Sequence, residues 1–228
     1  MRPTRIRDFK MKKIFFSFWL LLALGTVTVV FNSCSKNDDP KQDTLTVDKG
    51  VVINGVKWAT RNVAAPGFFA ANPEDPGMFY QWNRKKAWPV TGAVTGWDSS
   101  YPTGTTWEQA NDPSPAGWRV PTFAEIQSLL DTTYVSNGWT TENGVNGQKF
   151  IDKATGNSIF LPAAGGRNDE DGSLYYVGAN GHYWSSTVSN DLIYDNYYAY
   201  YLNFYVNDAY LWSGINRSGG LSVRAVAE

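Results

Sequence analysis

Past residue 47, apolar residues seldom recur at helical spacing. Short β-favouring runs are instead cut every few residues by Gly, Asn or Pro, and the 228 residues include Gly 21 and Pro 11. A chain punctuated this often cannot sustain many long helices, so a β-rich, loop-rich globule is expected. In "GVVINGVKWAT" two apolar runs flank Asn54-Gly55, the signature of a type I′ hairpin. "QKFIDKATGNSIFLPAAG" and "GSLYYVGANGHYWSST" each read as a further hairpin. "YYAYYLNFYV" and "AYLWSG" read as strands with a bend at Asn207-Asp208, and "LSVRAVA" as a last, alternating strand. One stretch breaks the pattern. In Pro121 to Asp131, Phe123, Ile126, Leu129 and Leu130 share a helical face, and Thr122 with Glu125 forms a capping box. Residues 62–117 read as long loops with a helical turn near "TTWEQA". One helix between groups of strands gives the expected fold class: α+β with a mainly antiparallel sheet.

The N-terminal segment is of another kind. Lys12 and Lys13 precede the apolar run "IFFSFWLLLALGTVTVVF", and small residues follow, which is the layout of an export signal over residues 1–33. Met11 opens "MKKIFF" and is the expected true start. The run is longer than most secretory signals, which leaves an uncleaved membrane anchor as the alternative. Ser33-Cys34 resembles a bacterial lipoprotein lipobox of the looser kind common in Bacteroidota, although Phe31 stands where Leu is usual. That resemblance makes Cys34 the lipidated first residue of the mature chain, held in the outer membrane and exposed at the surface. Several acyl chains on one residue give stable anchoring where one would be marginal. Residues 34–47 are polar, without apolar period, and read as a flexible tether, leaving 48–228 as one domain.

Charge and cysteine content narrow the function classes. Residues 1–33 hold six of the twenty Lys and Arg; the remainder has 14 basic and 20 acidic residues, a formal −6. An acidic domain without a basic stripe argues against a nucleic-acid partner. A single cysteine excludes an internal disulfide and a cysteine-based zinc cluster.

"WATRNVAAPG", "FYQWN", "NDPSPAGWRVPTFAEI", "GVNGQKFIDKATGNSIFLPAAGGR", "GHYWSST" and "RSGGLSVRAVAE" occur in this order. Together they resemble the Fibrobacter succinogenes major paralogous domain family, over about residues 50–228. The resemblance implies a fold of the C-type-lectin-like and formylglycine-generating-enzyme-like group, a surface lipoprotein, and no established catalysis. Many members have a cysteine where Ser114 stands, so no thiol role carries over. The E-P-N, Q-P-D and W-N-D motifs of calcium-dependent lectins are absent, and "YLNF" stands roughly where W-N-D is expected. In "PAGWRVPT" the turn, Trp118, Val120 and the helix start have structural readings, with Arg119 placed to pair with an acid.

Residue chemistry points away from catalysis. His182 is the only histidine, Ser185 and Ser186 are strand neighbours of it, and no nucleophile elbow or zinc-protease motif occurs. Asp169, Glu170, Asp171, Asp191, Asp195 and Asp208 lie in turn-rich sequence; a hydrolase would need two of them across a cleft. "RNDEDGS" fails as an EF-hand, and an irregular calcium site using Asp169 and Asp171 is the remaining metal reading. Residues 175–212 hold ten of the thirteen tyrosines with Trp184 and Trp212. Such rings either fill a small core or present a contact surface. Trp184, Tyr197, Tyr201, Tyr205 and Trp212 are the candidate ligand residues, with Tyr197, Tyr201 and Tyr205 expected outward in a row. The expected function is a lipid-anchored, non-catalytic surface protein binding a glycan or a protein. A structural component of a surface fimbria or glycan-uptake complex, or a cryptic hydrolase, are the alternatives.

Overall fold

Asn-Gly pairs at positive φ close two tight hairpins, at Asn54-Gly55 and Asn143-Gly144. The computed structural model describes residues 47–189 and 197–228. The signal, Cys34, most of the tether, Asp191 and Asp195 lie outside the described residues. In chain order the first strands are β1 (Val51–Ile53), β2 (Val56–Trp58), β3 (Phe79–Gln81), β4 (Ala87–Trp88) and β5 (Trp118–Arg119). A short 3-10 turn, Gln109–Asn111, precedes β5, and helix α1 (Phe123–Leu129) follows it. Next come β6 (Val135–Glu142), β7 (Val145–Asp152), β8 (Ser158–Pro162), β9 (Gly166–Arg167) and β10 (Leu174–Tyr175). The chain ends with β11 (Asn180–Val188), β12 (Tyr198–Tyr205), β13 (Asp208–Asn216), β14 (Gly220–Leu221) and β15 (Val226–Ala227).

These strands make four sheets, ordered β1-β2-β15-β5, β10-β9-β14-β3-β4, β11-β12-β13 and β6-β7-β8. Every strand pair in them is antiparallel. Among the described residues, strand accounts for 42% and helix for 6%, which overturns the α+β, C-type-lectin-like expectation: the fold is nearly all-β. The physical reason lies in the helix itself. Its box closes as expected, with Thr122 Oγ1 accepting from the Glu125 amide and Glu125 accepting from the Thr122 amide, yet it spans only seven residues. It contributes Ile126 and Leu129 to a core otherwise built by strands. Two local expectations also shift. "GSLYYVGANGHYWSST" is not one hairpin, since β10 pairs with β9 and β11 with β12. The bend between β12 and β13 is Val206-Asn207, because Asp208 already pairs with Tyr205.

The terminal segment "LSVRAVA" has no solvent face. Leu221, Ser222, Val223, Arg224, Ala225 and Val226 are all buried. Arg224 can be there because its guanidinium donates to Asn62 Oδ1 (2.9 Å), Ala59 O (3.2 Å) and Phe160 O (2.9 Å). Burial lowers its pKa to about 10, still far above neutrality, so the charge persists. Two further buried arginines serve the loops. Arg167 donates to the carbonyls of Pro89 (2.9 Å), Thr91 (3.2 Å) and Gly92 (2.9 Å), and Arg217 to Gly104 O (2.7 Å). The long loops between β2 and β5 are thus held by fixed donors in place of sheet ladders.

Candidate functional site

The pairing of β11, β12 and β13 places side chains in three cross-strand rows. One face carries Trp184, Tyr201 and Trp212; then His182, Asn203 and Tyr210; then Asn180, Tyr205 and Asp208. Residues directly opposite share a face, so each row is contiguous. The other face carries Tyr183, Leu202 and Leu211, then Gly181, Phe204 and Ala209. That second face joins the main core with Phe150 and Leu161. Gly181 is required there: a Cβ would run into the Phe204 ring. Strand β12 carries aromatics on both faces because both faces are used.

The first face passes from core to surface. Trp184 and Tyr201 belong to a second core cluster with Tyr80, Trp82 and Leu221, and Trp184 Nε1 donates to Tyr80 O (2.6 Å). Burial raises the Tyr201 hydroxyl to about 12. Along the rows the face opens, and Trp212 is 50% exposed while Tyr205 and Tyr210 are half-buried. Tyr175 and Tyr176 come over His182 from the adjoining turn, with centroids 5.3 and 6.3 Å from the imidazole. Tyr176 is 64% exposed and holds φ +52, a left-handed conformation that costs a bulky residue on the order of 1–3 kcal/mol. The Tyr176 carbonyl accepts from the Ala179 and Asn180 amides (3.0 Å each), which holds the turn in this conformation.

Beneath these rings lie polar atoms without protein partners. Both nitrogens of His182 and Oδ1 of Asn203 are buried and unpaired among the described residues. Asn203 Nδ2 donates to the Tyr210 hydroxyl (2.7 Å), and with the amide turned over, its nitrogen would be the unpaired atom instead. Each such buried group costs about 1–3 kcal/mol. Desolvation lowers the His182 pKa to about 4, so the imidazole is neutral at pH 7, one nitrogen donating and the other accepting.

Tyr197, Tyr201 and Tyr205 therefore do not form one outward row, and the five candidate aromatics divide between core and surface. Trp184 is 0% and Tyr201 7% exposed, so both are core. Tyr205 and Trp212 stand on the open part of the face. Tyr197, 40% exposed, packs edge-on against Tyr101 at 4.3 Å. Alternation placed Tyr201 and Tyr205 on one face correctly, but periodicity says nothing about which part of a face another segment covers. The residue order did not group His182, Asn203, Tyr210 and Tyr176 with these aromatics, because the cross-strand register that brings them together is not readable from it.

The other candidate chemistries are placed as follows. Ser185 Oγ accepts from the Thr187 amide (3.0 Å), and Thr187 Oγ1 accepts from the Phe123 amide (3.0 Å), so these hydroxyls secure the bulge in β11 and the start of α1. Asp169 accepts from Asn216 Nδ2, and Asp171 Oδ1 accepts from the Ser173 amide (2.8 Å). Among the described residues no three His, Cys, Asp or Glu side chains converge as a metal site. Arg119 makes a two-point ion pair with Glu125 (2.9 and 2.6 Å), the same residue that closes the capping box. An open groove of about 860 Å³ runs between α1 and the β12-β13 pair, lined by Phe123, Gln127, Tyr200, Tyr210 and Leu211.

In comparison with known proteins, residues 134–226 match a family model described as Domain of unknown function (DUF8237). The match runs from the turn before β6 to β15 and includes all three strands of the aromatic face. No curated protein and no solved structure matches the chain.

Proposed function

We propose that this chain is a lipid-anchored surface protein whose all-β domain is a non-catalytic binding module for a glycan or a protein segment. Residues 1–33 direct export, Cys34 carries the lipid in the outer membrane, and the tether holds the domain outside. The binding surface is the open part of the β11-β12-β13 face, with Tyr176, Tyr205, Tyr210 and Trp212 around His182 and Asn203. One observation carries this reading: the exposed rings of Tyr176, itself held at positive φ, and Trp212 flank buried polar atoms of His182 and Asn203 that have no protein partner among the described residues. Exposed rings offer apolar area at small entropic cost, and unpaired polar atoms offer specificity. The ordered motifs that resemble a surface-lipoprotein family support the same placement.

The anchor is tested by labelled palmitate. Cells expressing Cys34→Ala should incorporate none and retain the precursor, and continued labelling would overturn the anchor. The binding surface is tested by retention on immobilised polysaccharides with and without Trp212→Ala. Silence across polysaccharides together with one constant co-purifying protein would move the reading to an assembly component.

A further inference from the structure

The ligand class follows from charge, and the inference rests on the binding reading above. From residue 168 to residue 216 the sequence contains no Lys and no Arg, while it holds six acids: Asp169, Glu170, Asp171, Asp191, Asp195 and Asp208. This stretch supplies β10 through β13, hence the whole aromatic face and the turn that covers part of it. The arginines that bound it, Arg167 and Arg217, are buried and donate to backbone carbonyls. From these observations we propose that the face takes an uncharged saccharide.

Three arguments converge. An anionic ligand, whether a uronate, a sulfated sugar or a phosphate, would be desolvated against rings that carry no cation of their own, and Lys153, which shares a cavity with the β12-β13 turn, already donates to Thr132 O, so the cost is not recovered. A cationic ligand would reach a central row made of an imidazole, an amide and a phenol hydroxyl. The one carboxylate on the grid, Asp208, is exposed at the rim and accepts from the Ala209 amide (2.8 Å). Attraction to acids at that distance and exposure is largely screened by salt. A neutral pyranose needs neither charge. Its C–H face lies on Trp212 or Tyr210, and its hydroxyls bond at the rim with the Tyr210 hydroxyl, which Asn203 fixes from below (2.7 Å). The Tyr210 hydroxyl accepts from Asn203 and keeps its own hydrogen to give.

The test uses the full chain in detergent micelles, with affinity electrophoresis or calorimetry against three sets of probes. The neutral set is β-glucan, α-glucan, mannan and xylan; the anionic set is polygalacturonate and alginate; the cationic probe is chitosan. The expected result is binding within the neutral set, reduced at least tenfold by Trp212→Ala and by Asn203→Leu, which removes the amide at nearly equal volume. Trp212→Ala is at the exposed rim, so it reports on the face whether or not the buried substitution folds. Binding confined to polygalacturonate, alginate or chitosan and lost with Trp212→Ala would overturn the neutral-sugar inference and leave the face as a binding site. Neutral-sugar binding that is indifferent to Trp212→Ala would overturn the face itself. No binding to any probe by a folded chain would overturn both.

Discussion

Buried polar groups are handled in opposite ways in two regions of this molecule. Around the loops between β2 and β5, the guanidiniums of Arg167, Arg217 and Arg224 sit inside the protein and donate to carbonyls of distant segments. The strands β11, β12 and β13 supply no Lys or Arg to their open face, and His182 and Asn203 keep buried polar atoms that the described residues do not satisfy. The first arrangement spends a charge to order chain that has no sheet ladder of its own. The second leaves polar capacity unused under exposed rings. The difference teaches that the three buried guanidiniums order loop segments, while the β11-β12-β13 strands expose rings without a Lys or Arg of their own.

The comparison breaks first at Arg224. Arg224→Met should cost about 3–5 kcal/mol, because carbonyls and an amide oxygen that now receive its donors would be left buried and unpaired. Urea denaturation measures this, and a loss below about 1 kcal/mol would show that the loops do not depend on the guanidinium. The next test concerns His182. Its folded pKa of about 4 lies below the ordinary value of 6.5, so the unfolded chain binds more protons between them. Stability is therefore full above pH 6.5, falls as pH drops toward 4, and has lost on the order of 3 kcal/mol from this group by then. In His182→Gln that share of the slope should vanish, as shown by denaturation midpoints at pH 7, 5.5 and 4.

A smaller effect separates binding from stability. Trp212→Ala should leave the denaturation midpoint within about 0.5 kcal/mol of wild type, as at other exposed positions, while glycan retention falls about tenfold. Equal losses of stability and binding would erase the distinction between the two regions. The smallest effect is a control that belongs to neither region. Thr122→Ala opens the capping box of α1 and should cost about 1 kcal/mol without altering ligand affinity.

Much of the local structure was legible because its causes are local. The Asn54-Gly55 turn, the Thr122–Glu125 cap and the β7-β8 hairpin each depend on residues close in sequence. "LSVRAVA" misled because alternation assumes one wet face, whereas Ser222 is buried against β11 and Arg224 reaches Asn62 and Ala59, more than a hundred residues away in sequence. "YYAYYLNFYV" misled in the same manner: the alternation was right, yet Tyr201 is covered by a second core cluster. The candidate site needed three strands in register, a bulge in β11 and Tyr176 folded back over His182, none of which any one stretch encodes.

By itself the sequence determined the turns, the single capped helix, the tyrosine-rich stretch and the absence of Lys and Arg across it. These are properties of neighbouring residues, set by backbone sterics, short-range hydrogen bonds and composition. The tertiary structure alone decided that the fold is nearly all-β, which rings are core and which are rim, and that His182, Asn203 and Tyr210 form one row. Those outcomes depend on which distant strand supplies the next hydrogen bond, and that choice is made by burial over the whole domain.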